Sequence, residues 1–148
     1  DFDIRLDLLG EKQKRTVAYV RRSDIKKNAE DIDYDKVFIA KSGGSGNDPN
    51  VLSCPIVAPK GSVCSQTFIY AKFESTAEAV NFAGYLKTRF VRFLISARKI
   101  TQDALSKVYS FVPQQNFTHA WTDQDLYDKY DLSQSERDFI EKMIKPME

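Results

Sequence analysis

The chain has 148 residues, of which 42% are hydrophobic and 29% charged, and its formal net charge is +1. These values fit one soluble globular domain over residues 1–148 and exclude a disordered chain. No apolar run reaches the ~20 residues of a membrane span, and the charged start is unlike a signal peptide. The 2 cysteines make no disulfide framework, so we expect a cytoplasmic protein with no membrane association.

The charges are unevenly distributed along the chain. Residues 12–27 hold seven basic residues and one acidic residue, and residues 87–107 hold six basic residues and one acidic residue. Residues 123–148 instead hold eight acidic and four basic residues. Two basic segments suit a polyanionic partner, although solvated helix faces would give the same pattern.

The chain starts without Met, inside a predicted strand in which Phe2, Ile4 and further apolar residues alternate with charged ones. We therefore expect the chain to be a piece of a longer protein. Residues 16–20 predict a second strand that closes a hairpin. Ser23 is a candidate N-cap for a short helix that reaches Asn28.

The next segments also favour strands and loops. Residues 36–40 predict a buried strand and residues 41–50 a loop rich in glycine. Residues 56–57 lie between prolines and predict a short edge strand. Residues 62–73 have the strongest β propensity in the chain and predict one long strand.

Helices dominate the second half of the sequence. Ser75 and Glu78 have the spacing of a capping box and open a long helix, whose apolar residues follow a 3.6-residue period to Leu94. Further predicted elements, in chain order, are one or two helical turns at 103–108, extended chain at 109–113, and short helices at 123–130 and 133–144. The predicted fold class is α+β, with a strand-rich N-terminal half carrying a mixed or antiparallel sheet, one long helix, and two or three short C-terminal helices packed on it.

Motifs for catalysis and metal binding are scarce. Cys54, Cys64 and His119 lack the spacing of zinc ligands, so we expect buried or half-buried thiols and no metal site. The glycine-rich stretch at 42–46 lacks the ending of a nucleotide-binding P-loop. A faint acid and acid-x-lysine pattern, Asp7 with Asp24 and Lys26, leaves a metal-dependent nuclease as an alternative.

Several stretches form an ordered set that covers most of the chain from about residue 16 onward. They are VRRSDIKKN at 20–28, KVFIAKSGGSG at 36–46, GSVCSQT at 61–67, YLKTRF at 85–90, SARKITQ at 96–102, VYSFVP at 108–113, WTD at 121–123 and FIEKMIKPM at 139–147. Together they resemble the C-terminal part of restriction-modification proteins that carry an adenine-specific DNA methyltransferase.

In that family this region is the target-recognition domain, which selects the DNA sequence to be modified. The resemblance implies that the methyltransferase domain lies upstream and binds S-adenosylmethionine there. Its glycine motif and its Asn/Asp-Pro-Pro-aromatic motif do not occur here, so we expect this chain to bind double-stranded DNA without cofactor or catalytic residues of its own. Whether the parent protein also cleaves DNA stays open.

The same interpretation assigns candidate contacts, because DNA binding needs cations for phosphates and polar groups for base edges. The candidates for phosphates are Arg21, Arg22, Lys26, Lys27, Arg98 and Lys99. The candidates near the bases are Lys41, Ser42, Ser45, Asn47, Asn50, Gln66, Thr101 and Gln102. The residues expected to pack the C-terminal helices onto the body are Trp121, Leu126, Tyr127, Phe139 and Ile140.

A third hypothesis is a protein-docking module. The predicted long helix is apolar on most sides at residues 90–95, and such an end could dock on the methyltransferase domain.

Overall fold

The computed structural model describes residues 2–10, 14–41, 50–98 and 106–147, in which two small sheets and a layer of helices are stacked. Sheet 1 has the order β2-β1-β5, and sheet 2 has the order β4-β3-β6. The strands are β1 (Ile4–Leu9), β2 (Arg15–Val20), β3 (Asp35–Ala40), β4 (Ile56–Ala58), β5 (Ser62–Cys64) and β6 (Phe68–Phe73). The helices are α1 (Thr76–Lys87), α2 (Arg89–Arg98), α3 (Asp123–Lys129) and α4 (Gln134–Met143), and 3₁₀ helices span Arg22–Asp24, Ala29–Asp33 and Ser106–Phe111. The predicted α+β class is confirmed.

β3 lies between the two apolar cores and explains the layering. Val37 and Ile39 point to one side and pack with the helices, whereas Phe38 and Ala40 join a second cluster on the side of sheet 1. Every residue of β3 is buried, because the strand is central in its sheet and covered on both faces. The predicted buried strand is thereby confirmed.

The sheets differ in strand direction. In sheet 1, β1 is antiparallel to β2 and parallel to β5, while all pairs in sheet 2 are antiparallel. Gly61 connects the sheets just before β5, with a φ of 82° that glycine adopts without strain. Its N–H donates to the carbonyl of Ile32 at 2.8 Å, and its carbonyl accepts from the N–H of Arg5 at 3.0 Å.

The strand predicted over residues 62–73 is wrong in its length, because Ser65 and Thr67 form a turn inside it. The two side-chain hydroxyls lie 2.5 Å apart, and the Phe68 N–H donates to the Ser65 carbonyl at 3.1 Å. The chain therefore leaves sheet 1 at Cys64 and enters sheet 2 at Phe68.

The predicted long helix consists of two helices that meet at Thr88. The backbone of Thr88 is extended (φ −61°, ψ 150°), and its hydroxyl donates to the Tyr85 carbonyl at 2.7 Å. The same oxygen accepts the N–H of Val91 at 3.2 Å, so Thr88 caps α2.

Two smaller predictions are also wrong. The helix predicted from Ser23 to Asn28 is the single 3₁₀ turn Arg22–Asp24. Residues 109–113 were predicted to be extended. The structure instead has a 3₁₀ helix over Ser106–Phe111, which takes in the first three of these residues.

The C-terminal helices pack on the body as predicted. Thr122 and Ser133 cap α3 and α4 with capping boxes, and Leu126, Tyr127 and Ile140 are buried in the helical core. Phe139 also contacts the body, since its ring lies edge-on to that of Phe93 on α2, but 53% of the residue stays exposed.

Arg92 belongs to the second basic segment, yet its side chain is fully buried. Its Nε donates to the Lys87 carbonyl at 2.9 Å, and one terminal nitrogen donates to the Lys145 carbonyl at 2.7 Å. Burial lowers the pKa of this guanidinium. Arg92 thus links α2 to the C-terminal segment, and its charge does not contribute to the exposed basic surface.

In the described part of the chain, no helix combines the length and apolar character needed to cross a membrane.

Candidate nucleic-acid interface

A cleft of about 320 Å³ opens beside the two sheets and contains two of the residues predicted for DNA binding. Its apolar lining includes Leu6 of β1, Ile32 of the 3₁₀ helix before β3, and Phe38 of β3. Lys27 and Gln66 lie at its margin and are exposed. The fully buried Ile32 and Phe38 give these two polar side chains a rigid base.

Asp31 is the centre of a polar network in this cleft. The Tyr70 hydroxyl donates to Asp31 Oδ2 at 2.6 Å, and Lys72 Nζ donates to Asp31 Oδ1 at 2.7 Å. These bonds, that of Lys72 first, hold the pKa of Asp31 below its ordinary value. Burial and the bond to Asp31 raise the pKa of Tyr70 to about 12. The network joins the 3₁₀ helix Ala29–Asp33 to β6.

Asp31→Asn is expected to lower the free energy of unfolding by about 1 kcal/mol near neutral pH, since Asp31 and Lys72 form a partly exposed pair. The folded-state pKa of Asp31 is lowered, so the carboxylate stabilises the fold above the unfolded-state pKa of about 3.9. That contribution disappears as the pH falls through the folded-state pKa.

Urea unfolding at about pH 6 and about pH 3 measures this effect as a difference between wild type and variant. The difference should be largest at the higher pH and should shrink in acid. Asp138→Asn on α4 is the control, because Asp138 is exposed and, among the described residues, its side chain bonds to Gln134 of its own helix alone. An Asp31→Asn effect of equal size at both pH values would contradict the assignment.

Lys36 is a buried cation with a structural role. It is 2% exposed, and its Nζ donates to the backbone carbonyls of Asp31, Ile32 and Tyr34. Burial lowers the pKa of its ammonium group. The three carbonyls occupy the donors of Lys36, so this lysine closes the end of the 3₁₀ helix and has no donor left for a ligand.

Lys27 and Gln66 are the polar groups of the cleft that remain available. Within the described residues, neither side chain has a hydrogen bond or an ion pair. The backbone of a third predicted residue, Lys41, lies beside the turn that carries Gln66, because its N–H donates to the Thr67 carbonyl at 2.9 Å.

The other predicted phosphate-binding cations of residues 21–26 make contacts within the chain. Arg22 makes a two-pronged ion pair with Asp33, which lowers the pKa of Asp33. Lys26 Nζ donates to the Ser23 carbonyl at 2.8 Å. The Arg21 guanidinium lies 4.6 Å from the centre of the Phe2 ring. Because these groups are exposed, solvent screening keeps such contacts weak and exchangeable.

Two further predicted residues within the described ranges, Arg98 and Asn50, are not among the residues that line this cleft. Arg98 ends α2 with its guanidinium 5.4 Å from the centre of the Phe111 ring. Asn50 is exposed, and its carbonyl accepts the N–H of Leu52 at 2.7 Å. The predicted residues that lie outside the described ranges are Ser42, Ser45, Asn47, Lys99, Thr101 and Gln102.

The acidic residues of the nuclease hypothesis have local partners. Asp7 is fully buried on β1, with Arg5 Nε at 3.0 Å and Arg15 Nε at 4.0 Å. Asp24 accepts the N–H of Arg21 at 3.4 Å. Across residues 2–10, 14–41, 50–98 and 106–147, no three His, Cys, Asp or Glu side chains form a group that could hold a metal ion. A nuclease site at Asp7, Asp24 and Lys26 stays a hypothesis.

The two thiols are free and differ in exposure. Cys54 is exposed, so the prediction of a covered thiol is wrong there, while Cys64 is half-buried as predicted. Burial raises the pKa of Cys64 to about 11, which keeps it a protonated thiol at neutral pH. His119 lies against Trp121, with 4.5 Å between the ring centres.

Comparison of the chain with protein-family models, with curated protein sequences and with solved structures gives no match.

Proposed function

We propose that this chain is a target-recognition domain that binds double-stranded DNA for a restriction-modification methyltransferase, and that the mouth of the cleft contacts the DNA. One observation carries the proposal. Lys27 and Gln66, predicted from separate segments for phosphate and base contacts, flank one cleft with side chains that have no partner in the described residues.

The chemistry of this pair suits a duplex. A lysine ammonium is a point charge for a phosphate, and it releases a counterion when it binds. A glutamine amide can pair in a bidentate way with the N6 and N7 atoms of adenine in the major groove. Lys41, whose backbone pairs with Thr67 next to Gln66, adds a second cation close to this turn. The pair thus combines a positioning contact with a contact that reads sequence.

Selection from a pool of random duplexes, at low and at moderate salt, tests the function directly. Recovery of a short motif is the expected result and would give the target. Salt-sensitive retention without a motif would restrict the role of this chain to phosphate binding. Absence of retention at low salt would contradict DNA recognition by the chain.

Lys27→Ala and Gln66→Ala are expected to affect DNA binding in different ways. Loss of the lysine should weaken binding of all duplexes and lower the slope of log affinity against log salt by about 1. Loss of the glutamine should cost about 1–3 kcal/mol on the selected motif and relax the preference at one base pair.

Binding isotherms at several salt concentrations, on the selected motif and on duplexes with one base pair changed, measure both effects. The matched controls are Lys142→Ala on α4 and Gln124→Ala on α3, two exposed residues of the acidic C-terminal part. Both controls should bind as wild type does. Full affinity and full motif preference in Gln66→Ala would remove the base-reading assignment.

The remaining chemistry of the system is assigned to other parts of the parent protein. We assign S-adenosylmethionine binding and methyl transfer to the upstream methyltransferase domain, because this chain lacks the corresponding motifs. A cytoplasmic location is part of the proposal, and free thiols are consistent with it.

Docking is the second candidate function, and a groove between α2 and α4 favours it. The groove has a volume of about 300 Å³, and its lining includes Phe93, Leu94 and Phe139. Phe139 is 53% exposed beside it. If this groove holds the methyltransferase domain, Phe139→Asp should prevent co-purification of the two domains and leave the selected DNA motif unchanged.

A further inference from the structure

One face of sheet 1 is covered on one strand and open on the next. Strand register places Arg5 opposite Tyr19 and Asp7 opposite Val17. On β1, Asp7 is fully buried and Leu9 packs into the second apolar cluster. On β2, however, Tyr19 is 59% and Val17 is 42% exposed. This face of sheet 1 is therefore covered at Asp7 and Leu9 of β1, whereas the side chains of Val17 and Tyr19 on β2 lie on an open shelf.

Two arginines border this open area. Arg5 Nε lies 3.0 Å and Arg15 Nε lies 4.0 Å from the carboxylate of Asp7, and the two arginine side chains are 41% and 49% exposed. Two guanidinium groups share one buried carboxylate, so one positive charge is left uncompensated. Strand register places Arg5 directly opposite Tyr19, and Arg15 lies on the same face of β2, four residues before Tyr19.

We propose that this β2 shelf, formed by Arg5, Arg15, Val17 and Tyr19, binds an unpaired strand of nucleic acid. One base stacks on the Tyr19 ring, and the neighbouring phosphates lie at Arg5 and Arg15. Base stacking on an aromatic side chain beside fixed cations is the usual chemistry of single-strand binding. Two arginines that share one carboxylate leave an excess of positive charge on this surface, and such a charge suits a polyanion.

This proposal goes beyond duplex recognition at the cleft, since it concerns another surface and another form of nucleic acid. The shelf contains neither Lys27 nor Gln66, and the cleft contains neither Tyr19 nor Arg15. The two proposals can therefore fail independently.

Fluorescence anisotropy with a labelled oligothymidine of about 20 nucleotides, at about 50 mM salt, tests the shelf. Wild type should bind it, and Tyr19→Ala should weaken binding by about tenfold. Tyr19→Phe keeps the ring and should restore binding. Arg15→Gln should lower the slope of log affinity against log salt by about 0.7. Circular dichroism checks that each variant is folded.

Phe139→Ala is the matched control, because Phe139 is an aromatic residue of similar exposure on α4. It should bind the oligothymidine as wild type does, and so should Lys142→Ala, which removes an exposed cation on α4. Equal binding by wild type and Tyr19→Ala would overturn the proposal, and so would no binding by wild type. Self-association that Tyr19→Ala abolishes, with oligothymidine binding unchanged, would also overturn it and assign the shelf to pairing between edge strands.

Discussion

Replacing Arg92 by alanine is expected to lower the free energy of unfolding by about 3–4 kcal/mol. The side chain is fully buried and donates to the carbonyls of Lys87 and Lys145. The variant would leave both carbonyls without this donor and open a cavity at the α2 interface. The released C-terminal segment would also lose its tie to the end of α1.

Arg92→Met separates the two causes of that loss. Methionine restores most of the buried volume but no donor. One terminal nitrogen of Arg92 has no hydrogen-bond partner within the described part of the chain, so its removal breaks no bond there. We expect it to lower the free energy of unfolding by about half as much as alanine does. Urea unfolding monitored by circular dichroism measures both variants. Equal losses in the two variants would show that the hydrogen bonds, rather than the packing, dominate.

Phe38→Ala is expected to lower the free energy of unfolding by about 4 kcal/mol. The ring is fully buried at the centre of sheet 2, with ring centres 6.1 Å from Phe68 and 6.5 Å from Tyr70. It lines the floor of the cleft as well as the apolar contact between the sheets.

Two variants control this prediction, measured by urea unfolding in the same way. Phe38→Leu keeps much of the volume and should cost about 1 kcal/mol. Val80→Ala removes apolar atoms from an exposed position on α1 and should stay within about 0.5 kcal/mol of wild type. A loss below about 1.5 kcal/mol in Phe38→Ala would mean that the sheets can close over the missing ring.

Helix starts were predictable because their hydrogen bonds are local. Ser75 and Ser133 cap α1 and α4 by accepting the N–H groups of Glu78 and Glu136, three residues later in each case. Such a bond depends only on a short stretch of chain, so spacing alone reveals it. The alternation of apolar and charged residues in β1 is local in the same sense, and it predicted the hairpin.

Features that depend on distant partners were not predictable from patterns. The division of residues 62–73 follows from β5 pairing with β1 and β6 with β3, which no local pattern of residues records. Arg92 looks like any surface arginine in sequence, and only its contact with the carbonyl of Lys145 makes it a core residue.

The candidate interface likewise has features that the sequence reveals and features that depend on distant contacts. Lys27 and Gln66 could be chosen by residue type and by the resemblance, but their common cleft could not be foreseen. Asp31 and Tyr70 were missed, since their bond joins a loop helix to β6 across 39 positions of sequence. The one available signal was a lysine, Lys36, directly before the apolar residues 37–40 of β3.

The order in which the strands enter the two sheets has a consequence for folding. β1 and β2 come first, but sheet 1 is complete only when Ser62–Cys64 arrives, after two strands of sheet 2 have passed. Arg5 has its strand partner at Ser62, so this contact closes a long loop of chain. Neither sheet is therefore built from one continuous stretch of strands. We expect both to form in one cooperative step that waits for the residues up to Phe73 and is slow for a chain of this size.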